Sequence, residues 1–369
     1  MKKILLAFDS FKGSMDASTV CQTIANELRD DFEIVSVPMA DGGEGTVDAI
    51  VNARNGQYVS VNTVDHLGRN IRTTYGLFDN VAVLEAASVC GLDLAKPEER
   101  NVMVANSFGM GDLIASALSK GAENFILAIG GTGTNDGGYG LARALGYRFF
   151  DENGKDLPAS PDSLIHLEKI VPPNTDFSKY NFTIACDVKN KLCGELGASF
   201  VYGFQKGGTK EQLEHLDKCL FRLAQIIKKD LCIDVLNIEG GGAGGGLAAG
   251  LVAFCGGQMR NGYSVVSEAV DLDDLIKNVD VVVTGEGKTD KQTLFGKLPF
   301  GVAMTAKKYN KSVVLLSGTI TEEGEIGMKR IGCDAFFPCV VEGKITNDIF
   351  INAIPNLKKA AKALKVWLS

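Results

Sequence analysis

The chain opens on a continuous apolar run, Ile4 to Phe8, followed by a loop, an amphipathic stretch over residues 17–28 and a second apolar run over 32–37. That order predicts a strand, a helix and a parallel strand, the opening of an α/β sheet. Far downstream, residues 279–284, 312–316 and 335–338 are again short β-branched or aromatic runs with helical patterns between and after them, expected to be strands of the same sheet. Between these blocks the period changes. Residues 58–64 and 71–77 alternate polar and apolar positions about a turn at 65–69, as half-exposed antiparallel strands do. Residues 126–129 and 182–184 return to apolar, strand-like runs, and residues 356–367 read as an amphipathic closing helix whose lysines form a solvated face.

The pattern predicts an α/β protein of two domains. The first is a discontinuous parallel-sheet domain of Rossmann or flavodoxin-like type, residues 1–56 and 276–369. The second is an inserted mixed α/β domain, residues 57–275, carrying most of the glycine-rich loops. A length of 369 residues suits two domains. The 38 basic and 45 acidic residues leave a net charge of −7, which argues against a nucleic-acid partner or an anionic membrane surface, so a small anionic substrate would need local positive charge. Nine cysteines without a CxxC pair read as reduced thiols. The opening Met1-Lys2-Lys3 and its apolar run copy the start of an export signal, but the run is short and meets Asp9 at once. With no apolar stretch of membrane-spanning length, a cytoplasmic protein is expected.

Chemistry concentrates where carboxylates sit inside glycine. Glycine lets backbone approach an anion, and the interleaved acids can hold a divalent metal or take a proton. Directly after the first strand come Ser10, Lys12, Gly13 and Ser14, placed to meet an anion at a strand's carboxyl end. After the second comes Asp41-Gly42-Gly43-Glu44-Gly45-Thr46. Residues 107–112 read as a helix-entry loop before a helical stretch at 113–118. The strongest local pattern is the strand at 126–129 running into Gly130-Gly131-Thr132-Gly133-Thr134-Asn135-Asp136-Gly137-Gly138. There, 130–134 are expected to cradle an anion, while Asn135 and Asp136 orient a metal or a hydroxyl. Asp187 ends a strand, and Lys206 between Gln205 and Gly207 supplies a nearby cation, an acid and a lysine suited to a base and a phosphate partner. Glu286, Lys288 and Asp290 follow the apolar 281–283 run.

Two patterns are decoys. Gly287-Lys288-Thr289 resembles the tail of a P-loop, but position 282 is Val282 where that motif needs glycine. Gly240 to Gly245 satisfies GxGxxG, yet the preceding 234–238 make a poor buried strand, so those glycines serve either a flexible phosphate-contacting loop or tight packing. His66, His166 and His215 are scattered and suggest neither a metal cluster nor a catalytic triad.

Taken in order, Asp9-Ser10-Phe11-Lys12-Gly13-Ser14, Pro38 to Thr46, Ile129 to Gly138, Ala185-Cys186-Asp187-Val188, Gln205-Lys206-Gly207-Gly208 and Gly285 to Asp290 resemble the bacterial glycerate kinase family over residues 3–318. Thr132-Gly133 stands where that family usually has Ser-Ala, and Lys191 and Phe204 each replace a usual proline. The resemblance implies two α/β domains with an active site in the cleft between them. It also implies transfer of the γ-phosphoryl of ATP, with Mg2+, to D-glycerate. The expected product is 2-phosphoglycerate, with 3-phosphoglycerate the variant within the family. The candidate catalytic residues are Asp187, first choice to orient the substrate hydroxyl, then Lys206, Asp41 and Asp136. Candidate substrate or phosphate contacts are Ser10, Lys12, Gly13, Ser14, Gly42, Gly43, Glu44, Gly130, Gly131, Thr132, Gly133, Thr134, Asn135, Asn190, Gln205, Glu286, Lys288 and Asp290. Mg2+ is expected on Asp187, Glu286 and Asp290. A monomer or homodimer is expected. The rival readings are an NAD(P)-dependent hydroxy-acid dehydrogenase, resting on the 240–245 glycines, and a non-catalytic binding protein for small acids.

Overall fold

The computed structural model describes residues 1–340 and 351–369; residues 341–350 of the expected parallel-sheet domain lie outside the described residues. The chain forms two compact units, Met1–Asp41 with Asp48–Arg54 and Tyr263–Ser369, and Gly42–Val47 with Asn55–Gly262.

In the first unit five strands lie in the order Ala335–Pro338, Ser312–Ser317, Val281–Gly285, Lys3–Phe8 and Glu33–Ser36, all parallel. Ile4 pairs with Val281 on one side and Ile34 on the other. Alternate side chains of the central strands explain why the run is apolar throughout. Ile4, Leu6 and Phe8 share a core with Val20, Ile24, Leu357 and Leu364, from the helices Ala17–Leu28 and Ala353–Leu368, while helix Leu298–Lys308 packs on the same sheet. Asp16 starts the first helix by accepting from the Thr19 amide at 2.6 Å. Numbered along the chain, the strand order is 2-1-3-4-5, so the order reverses between Lys3–Phe8 and Val281–Gly285. Parallel α/β sheets bind ligands at such a switch point, beyond the carboxyl ends of the strands.

The second unit holds six strands in the order Gln258–Arg260, Asn181–Ala185, Asn124–Ala128, Val81–Glu85, Asn70–Phe78 and Gln57–Val64. The first four are parallel. The last two join antiparallel, with Val61 opposite Thr73, as the alternating pattern requires. Its core gathers Phe125, Tyr139, Phe149, Phe182 and Phe254, with Phe125 stacked on Phe182 at 4.4 Å between ring centroids. The long helix Lys210–Leu231 is opened by a reciprocal cap between Thr209 and Gln212.

One element departs from the sequence reading. The expected entry loop at 107–112 is already helix, Phe108–Ser119. Gly111 lies within this helix, and a Cβ there would lie 2.5 Å from the Leu141 carbonyl oxygen, so the glycine serves close helix packing rather than an open loop.

Candidate active site

Each unit gathers its polar loops at the carboxyl ends of its parallel strands. In the first unit, Asp9 follows Lys3–Phe8 and Glu286 follows Val281–Gly285, on either side of the switch point. Both carboxylates are buried, Asp9 8% and Glu286 7% exposed. Burial, reinforced by the negative charge of Asp41, lifts Asp9 to about 7, although the Ser10 amide donates to its Oδ1 at 2.7 Å and Lys12 opposes the shift. Burial also raises Glu286, with Asp290 and Asp41 adding to it, while Thr293 donates to Oε1 at 2.5 Å and Lys297 stands 4.0 Å from Oε2. Lys288 and Asp290 face each other at 4.0 Å. Lys12, Gly13 and Ser14 are exposed and Ser10 half-buried. Asp9, Ser10, Lys12, Ser14, Glu286, Lys288, Asp290 and Lys297 line a cavity of about 490 Å³ together with Phe11, Met15, Val340, Ala353 and Asn356.

In the second unit the ends of Val81–Glu85, Asn124–Ala128 and Asn181–Ala185 carry the polar groups. A Cβ on Gly42 would stand 2.7 Å from the Ala185 Cβ, and one on Gly130 would stand 3.2 Å from the Gly43 Cα. The loop after residue 41 is therefore seated on the 130 loop and the strand that leads to Asp187. Glu85 completes the seat by accepting from the Val47 amide at 2.7 Å. Glu44 stays exposed. Asp187 is exposed too, and its Oδ1 accepts from Asn261 Nδ2 at 2.6 Å and the Gly262 amide at 2.8 Å.

The 130–138 loop divides sharply. Gly131 is exposed and Gly130 half-buried, whereas Thr132, Thr134, Asn135 and Asp136 are buried. The Gly133 amide is already spent on the Cys90 carbonyl at 2.6 Å. Asp136 accepts from the Ser107 amide, the Ser107 hydroxyl and the amides of Gly138 and Gly140 at 2.7–3.1 Å, so its two oxygens tie the loop to the start of helix Phe108–Ser119. Lys206, at the end of the short Phe204–Lys206 turn, is 3% exposed and reaches into this loop. Its Nζ donates to the Thr134 carbonyl at 2.6 Å and lies 3.4 Å from Thr132 Oγ1. Burial brings its ammonium down to about 8, against the pull of Asp136 and Cys90. Asn190 is occupied locally, donating to the Leu196 carbonyl at 2.8 Å and accepting from the Tyr202 hydroxyl at 2.7 Å. Gln205 is exposed, and its carbonyl accepts from Arg100 at 3.1 Å.

The sequence reading left out Asp9 and Glu85, although Asp9 directly follows the strand Lys3–Phe8 and adjoins Ser10, and Glu85 ends the strand Val81–Glu85. It also set aside His66. That ring is buried, with Nδ1 unpartnered, and its Nε2 would lie 3.0 Å from a Cβ on Gly133. No periodicity marks such a contact. The glycines at 240–246 pack tightly: a Cβ on Gly245 would fall 1.9 Å from the Thr134 oxygen, and no strand precedes the run. Among the described residues no three His, Cys, Asp or Glu side chains converge closely enough to hold a metal by themselves, no helix is long and apolar enough to cross a membrane, and all nine cysteines are unpaired.

Comparison with known proteins decides the family. The profile of the Glycerate kinase family matches residues 4–369. The chain belongs to the glycerate kinase family. It is 38% identical to a glycerate kinase of Haemophilus influenzae, covering 98% of this chain and 97% of that one, and 38% identical to the glycerate 2-kinase of Escherichia coli, covering 100% and 98%. A crystal structure provisionally assigned as glycerate kinase 2 from Salmonella typhimurium LT2 superposes with a TM-score of 0.87 at 40% identity, covering 100% of this chain and 98% of that one. Membership makes the chain a kinase of mixed α/β build, and nothing in these relatives supports the dehydrogenase reading.

Proposed function

We propose that this chain transfers the γ-phosphoryl group of ATP to the 2-hydroxyl of D-glycerate, with the two compact units acting as its two domains. The observation that carries the reading is full-length membership of the glycerate kinase family, with the glycerate 2-kinase of Escherichia coli matched along the whole chain. The local chemistry supports it. Phosphoryl transfer asks for positioned reactants, cations for the equatorial oxygens and a carboxylate at the attacking hydroxyl. Lys206 is a cation held by two oxygens of a buried loop. Asp187 is a solvent-exposed carboxylate just past a strand end, its Oδ1 oriented by Asn261 and Gly262, which suits it to meet a substrate hydroxyl. Asp136 is better suited to positioning, because its oxygens already accept four hydrogen bonds.

Magnesium is the natural companion of ATP, and the donor set of the first unit fits it. Asp9, Asp41 and Glu286 are hard oxygen ligands, with Asp41 close enough to raise the proton affinity of both Asp9 and Glu286. Mg2+ typically takes one or two carboxylates and completes its shell with water and phosphate oxygens, so a convergent trio of side chains is not required. Asp41, Glu286 and Asp290 would hold the ion, which when bound neutralises phosphate charge. Asp187 is kept for the acceptor hydroxyl rather than for the metal. A soluble monomer or homodimer working in the cytoplasm suits this chemistry.

The decisive experiment is phosphorus and proton NMR of the product from D-glycerate and MgATP. ATP-dependent formation of 2-phosphoglycerate is expected. A 3-phosphoglycerate product overturns the regiochemistry, and absence of any phosphoglycerate overturns the reaction.

A further inference from the structure

The cavity of the first unit is built on a scale and with a polarity that a three-carbon acid does not need. Its volume of about 490 Å³ lies within the range of sites that enclose ligands of drug or cofactor size. Its apolar wall residues are Phe11, Met15, Val340 and Ala353, and three lysines, Lys12, Lys288 and Lys297, line it as well. It opens at the switch point of the parallel sheet, between the strand that ends at Phe8 and the strand that ends at Gly285.

We propose that this cavity is the nucleoside triphosphate site, with base and ribose against the apolar wall, the Asn356 amide at the base edge, and the phosphates turned to the three lysines. The inference rests on the kinase reading above and adds to it which unit takes the nucleotide and through which residues.

An aromatic base and a sugar need apolar area, and an amide side chain, carrying both donor and acceptor, can pair with the edge of a purine. Four carboxylates, Asp9, Asp41, Glu286 and Asp290, also border the cavity and would repel bare phosphates. The lysines offset part of that charge, and a divalent ion arriving with the triphosphate offsets more. The surroundings of Lys206 in the second unit are of the opposite kind. They are polar and close-packed, and His66 Nδ1, Arg100 Nε and Asn135 Oδ1 there are buried without hydrogen-bond partners. Groups left in that state favour a compact ligand dense in oxygens over an apolar ring.

The test uses the full-length protein and 8-azido-ATP with Mg2+, followed by peptide mapping with and without excess ATP. Displaceable label is expected on Phe11 to Met15, on Cys339 or Val340, or on Ala353 to Asn356. Two variants complete it. Ala353→Trp fills the apolar wall, and Asn356→Ala removes the amide without adding bulk, so the second stands if the first fails to fold. Each is expected to weaken binding of a fluorescent ATP analogue by about tenfold or more while leaving the KM for D-glycerate within about twofold. Displaceable label confined to residues 42–47 or 55–262 overturns the proposal. So does an unchanged nucleotide affinity in both folded variants. The product assay on the unaltered protein judges the reaction separately: label in the first unit without phosphoglycerate would keep the nucleotide site and discard glycerate as acceptor.

Discussion

Ser107 donates twice to a single oxygen of Asp136, from its amide at 2.8 Å and its hydroxyl at 2.7 Å, and the same hydroxyl accepts from the Leu141 amide at 3.0 Å. All the atoms are buried, so this node fixes the 130–138 loop to two helices with no water to replace a missing partner.

Asp136→Asn should therefore act on stability first. The new amide would point N–H groups at N–H groups, and loss of a charged acceptor from a buried network costs about 2–3 kcal/mol. In a protein of this size that lowers the melting midpoint by about 3–4 °C. Calorimetry checks it. A variant that melts like the parent yet loses turnover would return Asp136 to the chemistry itself.

Asp187→Asn should do the reverse. An asparagine oxygen can still accept from Asn261 and Gly262, so the melting midpoint should hold, while loss of general-base assistance lowers kcat by about 10² to 10⁴. Steady-state kinetics with thermal melts decides the case, and near-normal kcat would transfer the role to Asp41.

The contrast between these two carboxylates shows how far sequence could reach. Strands were legible because burial on both faces imposes apolar runs, and the 58–77 hairpin because one face is wet, giving period two. Asp9 was recoverable by the same rule that selected Ser10, since it is the first residue past a strand. What separates Asp136 from Asp187 was not legible: both sit in glycine-bearing loops, and only the folded chain supplies Ser107 to one and solvent to the other. Nor was the cavity wall legible, because Asn356 lies on an ordinary amphipathic helix whose pattern records core contacts with Leu357 and Leu364 and is silent about a ligand.

Asp9 gives a pH prediction in the ligand-free protein. Its folded value near 7 lies above the ordinary 3.8, so between roughly pH 4 and 7 the folded chain holds a proton that the unfolded chain has released. Stability from this group is present at the acid end and falls as pH rises through 7. Asp9→Asn removes the charge that burial and Asp41 oppose, so at pH 8 the variant should melt higher than the parent, with the gap closing toward pH 5. Melts at both pH values test this, and an equal midpoint at pH 8 would mean that Lys12 already neutralises the carboxylate.

Lys206 gives the opposite sign. Its ammonium is depressed to about 8 from 10.5, so between those values the folded chain has lost a proton that the unfolded chain keeps, and stability contributed by the site rises with pH across the window. Activity should move the other way if the charged amine holds an anionic group of the substrate. In the free enzyme kcat/KM for glycerate should then fall above about pH 8, toward tenfold per unit, because that profile reports ionisations of the unliganded protein. Lys206→Met should lose most of the activity at every pH without unfolding, since its stem still fills the site. Lys206→Arg supplies the sharper test. Guanidinium stays protonated throughout, so its kcat/KM, though lower from a changed fit in the loop, should be flat from pH 7 to 9.5. An alkaline limb that survives unchanged in Lys206→Arg assigns the ionisation to another group and removes the charge of Lys206 from substrate binding.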